Sequence, residues 1–277
     1  MKPTAADGRD VTTAVSTLQR GIGRRLDIVH VYRKWEEPFP GQTERAAIGQ
    51  GSTPMISWAG SSTTAIAGGA DDALIEQRAD AVRALGVPVL LRWSWEMDRP
   101  AVAGTVGSGA DYVAAWRHLR SVFAGQGATN AQWVWCPTSF GYAQNRVDSF
   151  YPGDSAVDWL CADGYTGPSV GGWRSFGDVF QGFYDWAASH PKPLMIGEFG
   201  VPAGAPGQRE AWLRDAQQTL KTRFPRIKAV VYFDAIRLDG QGNRNIWTLR
   251  GYPAALAAFG KLVEDPYFNT RRLPAAG

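Results

Sequence analysis

Pro88-Val-Leu-Leu-Arg-Trp-Ser-Trp-Glu-Met-Asp98 is a short apolar run that ends in a carboxylate set among tryptophans. Val87, Val89, Leu90 and Leu91 have strand character, broken only by Pro88, and a polar, aromatic tip follows them. A strand covered on both faces reads as a continuous apolar run. The pattern therefore predicts a buried parallel strand whose carboxyl end opens into a site, with Glu96 as its chemical point. Pro193-Leu-Met-Ile-Gly-Glu-Phe-Gly200 repeats the design and delivers Glu198, with glycines on both sides that admit a ligand or a second backbone at close range. Two glutamates at matching strand ends predict paired carboxylate chemistry.

Working outward, strand patterns recur at 26–32, 53–60, 131–137, 157–165 and 227–234, which makes seven with the two above. Apolar residues at helical spacing lie at 10–20, 70–85, 109–124, 175–190, 208–224 and 252–264. Strands that alternate with helices imply right-handed crossovers in a parallel sheet. A (β/α)8 barrel uses about 250 residues, so 1–277 is expected to form a single catalytic domain of that architecture. Seven strands are one short of eight, and the helix at 10–20 has no strand before it. The first strand is therefore expected to be missing from this chain, with a leader peptide upstream of it, or to lie degenerate in residues 1–10. With that strand restored, Glu96 and Glu198 follow strands four and seven and face each other across one cleft.

Composition removes several classes of function. A net charge of +3, with its basic residues spread out, lacks the clustered stripe that nucleic acid requires. Two cysteines and three histidines without ligand spacing imply no metal, and no cofactor is expected. No run reaches the roughly 18 apolar residues of a membrane span, and the first ten residues lack the apolar core of a leader peptide. Cys136 and Cys161 fall in adjacent strands. They are expected as free buried thiols, because side chains that project in parallel often miss the torsion a disulfide needs. Twelve tryptophans, several at strand ends, suit stacking on sugar rings.

Within this frame, Glu96 reads as a general acid and Glu198 as a nucleophile, the pairing of a retaining glycosidase, whose carboxylates stand about 5 to 5.5 Å apart. Either glutamate alone could equally serve a structural ion pair with Arg92. Arg92 itself reads as a group that orients the carboxylates and keeps the nucleophile ionised. His30 is either a sugar-bonding group or a satisfied core residue, and Trp58 and Trp93 are either sugar platforms or barrel filler. Asp163 and Asp234 read as structural or supporting groups. A carbohydrate-binding barrel without turnover is the alternative from another class, and the presence of both glutamates argues against it.

The segments 26–32, 54–58, 92–97, 151–153, 157–159, 163–165, 196–200 and 229–233, with Trp247, together resemble glycoside hydrolase family 26 over nearly the whole chain. The resemblance implies a secreted, monomeric, retaining endo-β-glycan hydrolase acting on polysaccharide or oligosaccharide, most often a β-1,4-mannanase, with mixed-linkage glucan, xylan or a bacterial exopolysaccharide as alternatives. It assigns Glu96 as acid/base and Glu198 as nucleophile, sets Tyr165 beside the nucleophile, and makes Trp247 a floor for the sugar next to the scissile bond. His30, Trp58, Arg92 and Trp95 complete the expected substrate-contacting set. The family usually has a histidine just before its acid glutamate and an asparagine two residues after it. Trp95 and Asp98 occupy those positions here.

Overall fold

Seven parallel strands form one continuous sheet in chain order: β1 (Ile28–Arg33), β2 (Thr53–Trp58), β3 (Val89–Trp93), β4 (Ala131–Trp135), β5 (Trp159–Tyr165), β6 (Leu194–Gly200) and β7 (Ile227–Tyr232). The computed structural model describes residues 11–238 and 244–269. All seven strands read at 26–32, 53–60, 88–98, 131–137, 157–165, 193–200 and 227–234 are present within those limits, except that β1 runs on to Arg33. The short antiparallel hairpin β8 (Ile236–Leu238) and β9 (Arg244–Ile246), and the helices Gln42–Gly49 and Thr63–Ala67, were not expected. They are too short for their periodicity to stand out from loop sequence.

Alternation along the strands sorts side chains between two cores. Met55, Leu90, Val134, Cys136, Cys161, Met195 and Val231 meet inside the curled sheet. Ile56, Trp58, Leu91, Trp93, Ile196 and Phe199 point outward into the larger core shared with the helices. The helix Gly109–Gly125 is fixed at its start by a capping box, in which Asp111 N donates to Ser108 Oγ and Ser108 N donates to Asp111 Oδ2. Its Tyr112, Trp116, Leu119 and Phe123 are buried against β3 and β4. This is the (β/α)8 architecture, with seven strands among the described residues. No described helix is long and apolar enough to cross a membrane.

Among the described residues, β1 and β7 are the two ends of the sheet and do not pair with each other. A cavity of about 730 Å³ lies along β7 and beneath the amino ends of the other strands, lined by residues that include Ile28, Ala229, Val231, Phe259 and Leu262. The first strand anticipated in residues 1–10 falls outside the described residues.

One expectation is corrected. Cys136, just after β4, and Cys161, the third residue of β5, are joined by a disulfide, with Cα atoms 4.3 Å apart. Both side chains turn into the barrel at neighbouring positions, so the inward projection thought to keep them apart brings the sulfurs together.

Candidate active site

The site is built where inward-facing positions change from apolar to polar near the carboxyl ends of the strands. His30 and Tyr32 of β1, Ser57 of β2, Arg92 of β3 and Asp163 of β5 form this layer, and Tyr32, Ser57 and Arg92 lie in one register row. On β6 the register against β5 shifts. Ala162 opposes Ile196 and Asp163 opposes Glu198, which leaves Gly197 as an extra residue. The bulge lets Gly197 and Glu198 share the inward side. A side chain at 197 is excluded, because a Cβ there would lie 2.5 Å from Cys161 Sγ, 2.8 Å from Asp163 Oδ1 and 2.9 Å from Arg92 Nη1.

Arg92 is fully buried and joins the two carboxylates. Nη1 donates to Asp163 Oδ2 at 2.5 Å, Nη2 donates to Glu198 Oε1, and Nε donates to Ser57 Oγ at 2.7 Å. Two hydroxyls complete the setting of Glu198: Tyr32 donates to Oε1 at 2.5 Å and Tyr165 donates to Oε2. Burial opposes the charge of Glu198, yet the Arg92 guanidinium and the two tyrosine hydroxyls outweigh it and hold the carboxyl below its ordinary value. Asp163 goes the other way. Desolvation, helped by the nearby Glu198 charge, pushes it well up despite its contact with Arg92.

Glu96 stands beyond β3 in a tight turn in which Ser94 (φ 41°) and Glu96 (φ 54°) both take left-handed backbone conformations. Such conformations cost non-glycine residues roughly 1 to 3 kcal/mol and persist only where their surroundings fix them. Here Ser94 N donates to Trp58 O at 2.9 Å and Glu96 N donates to Cys136 O at 2.8 Å. Asp98 clamps the same turn to the loop after β4 by accepting from Thr138 N at 2.8 Å and from Thr138 Oγ1. Burial, reinforced by the Glu198 charge, raises the Glu96 carboxyl above its usual range, and Arg99 pulls it partly back. The two carboxyls are thus tuned in opposite directions, as a proton donor and an ionised partner require.

The expected contact residues divide. Tyr165 lies against Glu198, and its ring is 5.1 Å from that of Trp247, whose buried Nε1 has no hydrogen-bond partner among the described residues. Trp95 is half-buried, 5.2 Å from the Arg92 guanidinium and edge-on to Tyr32. Trp58 and Trp93 do not reach the cleft. Both are fully buried on the helix side, where Trp58 stacks on Trp35 and Trp93 on Tyr112. Each follows an inward residue, Ser57 or Arg92, and strand alternation therefore turns it out. His30 is buried inside the barrel, with Nε2 2.6 Å from Ser57 Oγ and 3.3 Å from Arg92 Nη2. Asp234 is a structural acceptor for Leu249 N.

Sequence reasoning passed over Tyr32 and Arg99. Tyr32 shares the inward parity of His30, a signal that was available. Arg99 depends on the turn after Glu96, for which no periodicity exists. The group Cys136, Cys161 and Asp163 is of metal-ligating type. With its sulfurs bonded to each other it offers only a carboxylate.

These features define a (β/α) barrel with two carboxyls at the mouth, one raised and one lowered. No family model matches the chain. Endoglucanase H of Acetivibrio thermocellus is 31% identical over 268 residues, covering 91% of this chain and 29% of that protein. A β-1,3-xylanase of Alcaligenes sp is 26% identical over 209 residues, covering 68% of this chain and 40% of that protein. The chain thus spans less than half the length of either relative. Among solved structures, the catalytic domain of a Bacillus sp. GH26 endo-β-1,4-mannanase aligns with a TM-score of 0.67 at 16% identity, covering 94% of this chain and 82% of that one. A GH26 β-mannanase from Bacteroides ovatus aligns with a TM-score of 0.56 at 14% identity, covering 92% and 93%. The fold is that of the glycoside hydrolase family 26 barrels, which the sequence segments resemble.

Proposed function

We propose that the chain is a catalytic unit of a retaining, endo-acting β-glycan hydrolase, with Glu198 as nucleophile and Glu96 as acid/base. The observation that carries this reading is the opposite tuning of the two carboxyls by burial and by Arg92. Glu198 Oε1 accepts from both Arg92 and Tyr32, whereas Oε2 accepts from Tyr165 alone. Oε2 is therefore the freer oxygen for attack on the anomeric carbon. As that bond forms, the proton of Glu96 passes to the departing glycosidic oxygen. Water then attacks the same carbon, gives its proton to Glu96 and releases Glu198, so that configuration is retained. No cofactor is needed.

Mannan is the substrate most often implied by the family resemblance, but the sequence relatives named above are a glucanase and a xylanase. Trp95, in the position of the family's usual histidine, also cannot accept a hydrogen bond from a sugar hydroxyl. The first of these favours a glucan or xylan over mannan, and the second marks a departure from the family's usual sugar contact. Trp247 and Tyr165, with ring centroids 5.1 Å apart beside Glu198, supply the aromatic floor. The disulfide fits an oxidising compartment, consistent with action outside the cell on a polymer, and a monomer suffices for the chemistry.

Reducing-sugar release from lichenan, β-1,3-xylan, β-1,4-xylan and mannan tests the substrate. Glu198→Ala is expected to abolish hydrolysis of every substrate. Glu96→Ala is expected to spare aryl glycosides whose leaving group needs no proton. Equal losses on activated and unactivated substrates, or an α-anomer as first product from a β-glycan, would remove the assignment.

A further inference from the structure

Arg99 is the group nearest the acid/base that the mechanism above leaves unused. Its Nη1 lies 2.6 Å from Glu96 Oε2, and its backbone N donates to Glu96 O at 3.0 Å, so one turn of chain carries the carboxyl and its cation together. The Glu96 side chain is 13% exposed and that of Arg99 53%. Arg92, the other cation facing Glu96, is committed to Asp163 and Glu198. The anionic or titratable neighbours are Glu198 from β6 and, more distantly, Asp163 and Tyr165 from β5. Asp98, in the same turn, is engaged by Thr138.

The two half-reactions ask opposite things of Glu96. It must hold a proton while the leaving group departs, and be ionised when it takes a proton from water. In the first half-reaction the negative charge of Glu198 favours the protonated form. In the second that charge is gone, because the Glu198 oxygen is bonded to the anomeric carbon. The guanidinium of Arg99 is then the contacting charge that remains. We propose that Arg99 is a positioning residue that holds Glu96 in its ionised, water-activating state during breakdown of the glycosyl-enzyme. The bookkeeping of atoms is unchanged: water oxygen bonds to the anomeric carbon, the ester bond breaks with its electron pair returning to Glu198, and the water proton goes to Glu96.

This inference rests on Glu96 being the acid/base, and the test separates the two. Carbon-13 carboxyl titration of glutamate-labelled protein, with Glu96→Gln to assign the signal, reads Glu96 without any turnover. In Arg99→Gln its midpoint is expected to rise by about half a pH unit, the scale of an ion pair with one exposed partner, and Arg99→Lys restores most of the shift. On an activated aryl β-glycoside, Arg99→Gln is expected to show a burst followed by a slower steady state, with kcat lowered several-fold and kcat/KM held. An unmoved midpoint overturns the proposal. So does a fall in kcat/KM with no burst, or a lysine variant that behaves like the glutamine one. If Glu96→Ala leaves glycan hydrolysis intact, the acid/base assignment fails and this inference fails with it.

Discussion

Replacing Arg92 with leucine removes one cation from between two buried carboxylates. Asp163 at 2.5 Å and Glu198 in direct contact would both lose their ion-pair partner, and Ser57 Oγ would lose a donor. Breaking a buried pair in this way costs about 3 to 5 kcal/mol, because the surviving charge is left uncompensated. For a large domain, about 1 kcal/mol moves the midpoint by roughly 2 to 4 °C, so the variant should melt roughly 10 °C lower at neutral pH. In the wild type, Glu198 is held below its unfolded value, so it contributes stability above that value and loses it as pH falls. Without Arg92, burial lifts Glu198 above the unfolded value. The group then destabilises the fold at neutral pH, and the penalty fades as pH drops toward about 4. Asp163 is already raised in the wild type, so the reversal of sign belongs to Glu198. Melting curves of both proteins between pH 7 and pH 4 measure it, and the gap in Tm should narrow steadily. A gap of equal size across that range would show that the loss is one of packing, and the electrostatic account of the nucleophile would be refuted.

Gly197→Ala should cost about 2 kcal/mol or more through overpacking and lower kcat sharply, since its Cβ would collide with Cys161, Asp163 and Arg92; wild-type stability would show that the bulge can relax. Tyr165→Phe removes a donor to ionised Glu198, so the acid limb of the kcat/KM profile should move to higher pH, and a fixed limb would count against that hydrogen bond. Thiol titration under denaturing, non-reducing conditions should find no free thiol. Reduction should lower stability by about 3 kcal/mol for a loop of this length, and two titrating thiols would contradict the bond.

The barrel was legible because its strands are continuous apolar runs and its long helices have clear faces. Glu96 and Glu198 were legible because each breaks an apolar run at its end. Trp58 and Trp93 were read as possible platforms because composition draws attention to tryptophan, whereas strand parity, already set by Ser57 and Arg92, turns them toward the helices. The bulge at Gly197 and the left-handed turn at Ser94 and Glu96 escaped the sequence reading for a different reason. Both are backbone departures from regular geometry, imposed by contacts that exist only once the strands are assembled. The disulfide belongs with them, since adjacency of strands does not fix the depth or direction of two side chains.

The two ends of the described sheet give the hydrogen bonds of Glu198 a second meaning. A closed barrel is a hoop, in which each strand is gripped from both sides. Among the described residues this sheet is a curled strip, and β1 is gripped by main-chain bonds from β2 alone. Tyr32, on that terminal strand, reaches Glu198 on β6. A side-chain strut inside the barrel therefore ties this end strand of the described sheet to β6. The bond is anchored on the group that, in the mechanism proposed above, loses its charge when a glycosyl-enzyme forms. If Glu198 carries the glycosyl group as proposed, the strut loses the charge it is anchored on, and the amides of β1 should exchange faster in the glycosyl-enzyme than in the free enzyme.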